Sequence, residues 1–160
     1  MIYRKSSMLR ILCLSICILF LSNCRTTSYT PYDYPGEIIR VGTGGGFTGQ
    51  LREFCLLSNG QLFFGTHKEG NVQELEALTK EETRQIFRSF HFMKFSDLEI
   101  DKPGNMYHYI KFSAPDNEHF IQWGAHDANP PRELTIFFAN LKKDFNNRAR
   151  DISPSSKQIK

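Results

Sequence analysis

The sequence predicts an α+β domain, an antiparallel sheet of about 4–5 strands with two helices packed on one face, in the order β-β-β-α-β-β-α. Three observations carry this. Thr79-Lys80-Glu81-Glu82 has the spacing of a capping box, in which the Thr hydroxyl takes a free helix amide and Glu82 reaches back. Met106 to Ser113 alternates apolar and polar positions at the two-residue period of a strand, and His119 to Gly124 follows close behind. Leu134, Phe137, Phe138, Leu141 and Phe145 fall on one stripe of a helix.

Taken in order, Glu37 to Val41 reads as a strand, interrupted by the glycine-rich run at 42–49. Extended character resumes from Gln50 to Leu57. Ser58-Asn59-Gly60 places an Asn-Gly pair between two apolar runs, a strong hairpin signal leading into Gln61 to Phe64. His67 to Asn71 reads as a loop and Val72 to Leu78 as a further short strand. The capping box then opens a helix to about His91, with Ile86, Phe87 and Phe90 inward.

Lys102-Pro103-Gly104-Asn105 breaks the chain before the Met106 strand. In that strand Met106, His108, Ile110 and Phe112 share one face, and Tyr107, Tyr109 and Lys111 share the other. Side chains must meet on one face across a hairpin, which suggests pairing Phe112 with Ile121 and Ile110 with Trp123. That register needs the loop Pro115 to Glu118. Asn129-Pro130-Pro131 starts the second helix, proline being suited to a first turn.

Ahead of the domain, MIYRKSSMLRILCLSICILFLSNC runs from basic to apolar to small-polar, the order of a secretory signal peptide. Its apolar run from Ile11 to Leu21 is too short for a membrane span. The closing Leu21-Ser22-Asn23-Cys24 resembles the lipobox of bacterial lipoproteins, which implies a signal over residues 1–23 and a lipid anchor on Cys24. Each buried methylene contributes about 0.8 kcal/mol, so two or three acyl chains would hold the protein firmly. The expected address is therefore the bacterial cell envelope. Arg25 follows the cysteine, so an aspartate that would mark inner-membrane retention is missing, which favours the outer membrane. Residues 24–36 read as a polar tether, 37–146 as one small domain, and 147–160 as a disordered tail.

The leader also empties two tempting signals. The chain carries 20 Lys and Arg against 17 Asp and Glu. Arg4, Lys5 and Arg10 supply the whole excess, so the mature chain is neutral and has no long-range field to gather phosphates; nucleic acid is not an expected partner. Of four cysteines, Cys13 and Cys17 leave with the signal and Cys24 would carry lipid. Cys55 alone remains, which rules out an intrachain disulfide in a mature monomer. It reads as a small apolar strand residue.

Catalytic and metal motifs are absent from the sequence. Gly44-Gly45-Gly46-Phe47-Thr48-Gly49 fits G-x-G-x-x-G, but a strand follows where a dinucleotide site needs a helix. The glycines permit either a bend between strands or a loop that displays Phe47 and backbone amides to a partner. His67, His91, His108, His119 and His126 lack zinc-ligand spacing, and His126-Asp127 is a local loop pair. No serine has a nucleophile-elbow setting. Neither an enzyme nor a cofactor is expected. Tyr107, Tyr109 and Trp123 are expected to cover the sheet.

The strand into Gly45-Gly46-Phe47-Thr48-Gly49, the helix ending in Phe90-x-x-Met93-x-Phe95, the Met106-Tyr107-x-Tyr109-x-x-Phe112 strand, the closing hairpin and the Pro131-x-x-Leu134 helix together resemble the emfourin, or protealysin-inhibitor, family. The resemblance spans about residues 37–146. It implies a module that binds and inhibits a thermolysin-like zinc metallopeptidase, with Gly45, Gly46, Phe47, Thr48 and Gly49 as the contact loop. The rival expectation is a non-inhibitory structural or assembly lipoprotein of the envelope, part of a fixed complex.

Overall fold

The computed structural model describes residues 28–47, 49–66 and 72–152. Seven strands form one sheet: β1 (Ile38–Gly45), β2 (Arg52–Leu57), β3 (Leu62–Thr66), β4 (Val72–Glu74), β5 (Asp101–Lys102), β6 (Met106–Ala114) and β7 (Asn117–Trp123). Their order across the sheet is β4-β3-β2-β1-β6-β7-β5. The helices are α1 (Lys80–Phe92) and α2 (Arg132–Ile152), with a 3-10 turn at Phe95–Asp97 after α1. The α+β class holds. The sheet is larger than expected and mixed, because β5 pairs with β7 in parallel while the other pairs are antiparallel. Two polar residues, Asp101 and Lys102, carry no apolar periodicity from which such an edge could be read.

Alternation assigns the two faces. Ile39 and Val41 of β1, Phe54 and Leu56 of β2, Ile110 and Phe112 of β6, and Ile121 and Trp123 of β7 point to the helix side. There they meet Phe87 and Phe90 of α1 and the buried stripe Leu134, Phe137, Phe138, Leu141 and Phe145 of α2. The capping box forms as the spacing predicts. Glu82 N donates to Thr79 Oγ1 at 3.2 Å and Thr79 N donates to Glu82 Oε2 at 2.8 Å. The Thr79 amide, and then the Thr79 hydroxyl donating to the same Oε2 at 2.8 Å, hold the Glu82 carboxyl below its ordinary pKa.

Four expectations are corrected. The β6–β7 register pairs Ile110 with Ile121, Phe112 with His119 and His108 with Trp123, two residues away from the expected pairing. A two-residue slip keeps every side chain on its face, so apolar pattern cannot detect it. The turn decides: Pro115 and Asp116 alone connect Ala114 to Asn117. Proline holds the negative φ of a turn's second position, which permits a tighter loop than the expected one.

The second correction concerns β1, which does not stop at Val41. It continues to Gly45 as a central strand paired with both β2 and β6. The rings of Tyr109 and Tyr107 lie where side chains at Gly42 and Gly44 would stand. Here glycine in a strand makes room for aromatics from its neighbour.

Third, the tail is shortened. α2 runs to Ile152, held beyond its apolar stripe by Arg148, whose Nη2 bonds Glu82 Oε1 at 2.9 Å and whose Nη1 donates to Ala77 O at 3.3 Å. Residues 153–160 lie outside the described part.

Fourth, residues 28–36, expected as tether, pack on the sheet face opposite the helices. Tyr29 and Tyr34 cover Ile38, Cys55, Leu57 and Phe63 there. Among the described residues no helix is long and apolar enough to cross a membrane.

Candidate functional site

The β1–β2 connection forms one end of the sheet. Gly45, in β1, pairs with Met106 and has φ +93°; Gly46 follows at φ +73°. Gly46 N donates to Asn105 O at 2.7 Å, and Gly49 N closes the turn on Gly46 O at 3.1 Å. The expected contact loop is thus divided. Gly45 belongs to the strand, Gly46, Phe47 and Gly49 form the turn, and Thr48 lies outside the described residues.

Phe47 stands fully in solvent at 109 % relative exposure. Beside it Met106 is 60 % exposed, with its sulfur near the position a Gly46 side chain would take. Phenylalanine is mostly buried in folded chains, so a wholly exposed ring on a turn braced by a backbone bond is a feature to explain. Sequence reading found Phe47 and missed Met106, which alternation placed on the helix side. Met106 is the first residue of its strand and stands outside the buried cluster that its face-mates Ile110 and Phe112 join.

The face opposite the helices carries a polar network at its centre. Tyr109 Oη donates to Glu53 Oε2 at 2.7 Å, and Arg40 Nε lies 3.8 Å from Glu53 Oε1. Arg40 also donates through Nη1 to Ser113 Oγ at 3.2 Å and through Nη2 to Pro31 O at 2.8 Å. Burial, then the Glu53 carboxylate, raises the Tyr109 phenol, so it stays a hydrogen-bond donor. Each member of the network has a partner, which marks it as the fastener between sheet and N-terminal segment. Tyr107 lies beside Tyr109 on this face, whereas Trp123 is buried on the other against Phe138 with ring centroids 5.2 Å apart. The three aromatics do not share a surface.

Cys55 sits under the same segment, and burial pushes its thiol up to about 12. Such a thiol is a poor nucleophile near neutral pH. The consequence is a pH effect with a definite sign. An unfolded Cys55 ionises near pH 9 while the folded one resists, so this contribution is intact below pH 9. It then falls by up to ~1.4 kcal/mol per pH unit toward pH 12. Denaturant titrations at pH 8 and pH 10 are expected to show this loss in the native chain and a smaller one in Cys55→Ala.

Among the described residues no group of three or more His, Cys, Asp or Glu side chains is placed to hold a metal ion. His108 rests with its ring centroid 4.9 Å from that of Phe138 and is lowered by burial and then by Lys142. His126 and Asp127 do not act as a pair in the hydrogen-bond pattern; Asp127 Oδ2 instead accepts from Lys102 Nζ at 2.7 Å. His67 lies outside the described residues, as does Cys24. No protein-family model matches the sequence, and no curated protein matches it.

Proposed function

We propose that the protein is a lipid-anchored binding module of the bacterial envelope that grips a protein partner through its β1–β2 tip. The first partner to test is a thermolysin-like metallopeptidase, following the resemblance to emfourin. The observation that carries the reading is the fully exposed Phe47 on a braced turn, with Met106 beside it. An exposed aromatic on a preorganised hairpin can enter a partner's apolar pocket at little entropic cost. Lipid on Cys24 would confine this activity to a membrane surface.

The test is a titration of the chain lacking its leader against thermolysin-like enzymes, with Phe47→Ala alongside. Near-stoichiometric inhibition is expected. Loss of an aromatic hot spot costs about 2 kcal/mol, so Phe47→Ala is expected to bind roughly 30-fold more weakly. Absence of inhibition by protein shown to be folded would remove the inhibitor role. A fixed envelope partner recovered by cross-linking, indifferent to Phe47, would instead support the assembly lipoprotein.

A further inference from the structure

The N-terminal segment is fastened in a way that a plain leash does not require. Gln61, at the end of the β2–β3 turn, uses its side-chain amide as a strand would use its backbone. Its Oε1 accepts from Tyr29 N at 3.1 Å and its Nε2 donates to Tyr29 O at 3.3 Å. The same Nε2 reaches Glu74 Oε1 at 3.0 Å, which fixes the amide's orientation. Further along, Arg40 Nη2 holds Pro31 O at 2.8 Å, and the hydroxyls of Tyr34 and Ser58 lie 2.8 Å apart. Tyr29 and Tyr34 meet edge to face, 5.2 Å between centroids, over the small apolar cluster of Ile38, Cys55, Leu57 and Phe63.

The Gln61 and Tyr34–Ser58 fasteners sit at one pole of the sheet, and the Arg40 clip lies two residues further along β1 from Ile38. Leu57 pairs with Ile38 at the start of β1, and the Ser58–Gly60 turn adjoins Gln61 there. The Phe47 tip stands at the other end of β1, roughly 23 Å away at about 3.3 Å per strand residue. The chain between the lipid position and the first fastener is short. Cys24 precedes Tyr29 by five residues, so the leash spans roughly 18 Å at most. With the strap released, the leash would run twelve residues to Gly36 and reach roughly 43 Å.

We propose that residues 28–36 are a strap, clipped by Gln61 and Arg40, that sets the height of the domain above the lipid surface. It keeps the Ile38 pole near the headgroups and presents the Phe47–Met106 tip to partners arriving from the aqueous side. This inference rests on the lipid-anchor reading of Cys24 and is independent of which partner the tip takes. Release of the strap would more than double the height available to the domain without breaking its attachment.

The experiment uses the full chain, lipidated in a bacterial host and reconstituted into phosphatidylethanolamine–phosphatidylglycerol vesicles containing an acceptor-labelled lipid. A donor dye is placed at Phe92→Cys or at Phe47→Cys. Phe92 is exposed and follows His91, whose Nε2 lies 3.0 Å from Glu37 Oε1, so it marks the strap pole. Cys55 is buried and resists labelling. Energy transfer to lipid is expected to be stronger from position 92 than from 47. It is expected to fall at position 92 in Gln61→Ala and in Tyr34→Ala, two variants that open the strap from different points. Equal transfer from both poles, or transfer at 92 unchanged in both folded variants, would overturn the strap. Flotation with vesicles is read separately: a native chain that fails to float, or a Cys24→Ser chain that still floats, would remove the anchor and the strap's role together.

Discussion

Truncating Phe90 to alanine is expected to lower the unfolding free energy by about 3–5 kcal/mol, the range for a phenylalanine lost from a packed core. Phe90 is fully buried where four elements meet. Its ring stacks on Phe112 of β6 with centroids 5.0 Å apart, meets Phe95 of the 3-10 turn edge to face at 5.7 Å, and lies 6.3 Å from Phe137 of α2. Domains of this size have total stabilities of about 5–15 kcal/mol, so the variant would lose a large share of its stability. Urea titration followed through the single tryptophan, Trp123, reads the loss directly, since that residue is buried in the same core. Phe92→Ala supplies the comparison. Two residues along the same helix, Phe92 is 87 % exposed, and its removal is expected to change stability by less than about 0.5 kcal/mol. Similar losses in the two variants would mean that the stacking at Phe90 does not anchor this layer.

What could be read in advance divides along one physical line. Local signals held: the Thr79–Glu82 box, the Leu134-to-Phe145 stripe and the division of β6 into two faces each depend on residues near in sequence. The Asn59-Gly60 signal held with an adjustment. The loop comprises Ser58, Asn59 and Gly60, with Leu57 N bonded to Gln61 O at 2.9 Å and Gly60 at φ +98°, a three-residue hairpin closing on a left-handed glycine. Features set by distant partners were not legible. Gly42 and Gly44 look like loop residues until Tyr109 and Tyr107 arrive from β6. Arg148 looks like tail until Glu82 and the Ala77 carbonyl are brought beside it.

The candidate site shows the same division. Phe47 could be picked out because a glycine run around one aromatic is a local pattern. Its companion Met106 could not, since alternation assigns a face but does not say where the covering layer ends. The strap reads as a solvated tether because its composition is polar and proline-bearing. In the fold Tyr29 and Tyr34 pack their rings on the sheet, with the Tyr34 hydroxyl 2.8 Å from that of Ser58, while Tyr32 stays exposed. Spaced tyrosines in a polar linker were the one available signal.

Gly45 gives the sharpest test of whether the tip is built or merely loose. At φ +93° an L-residue is strained, and a Cβ there would overlap the carbonyl oxygen of Asn105. That same oxygen accepts the Gly46 amide at 2.7 Å, so it cannot retreat without breaking the bond that braces the turn. Gly45→Ala is therefore expected to cost about 2–4 kcal/mol, backbone strain adding to a clash with backbone atoms. Gly49→Ala isolates the first contribution. Gly49 also has a left-handed φ, +58°, but nothing lies within 4 Å of its would-be Cβ. Its replacement is expected to cost about 1 kcal/mol. Denaturant titration of both variants reads the difference, and partner binding gives it meaning for function. If Phe47 works from a preorganised turn, Gly45→Ala is expected to weaken partner binding at temperatures where the protein remains folded, whereas Gly49→Ala is expected to retain most of it. Equal binding by the two, at equal folded fraction, would show that Phe47 needs exposure and not the brace.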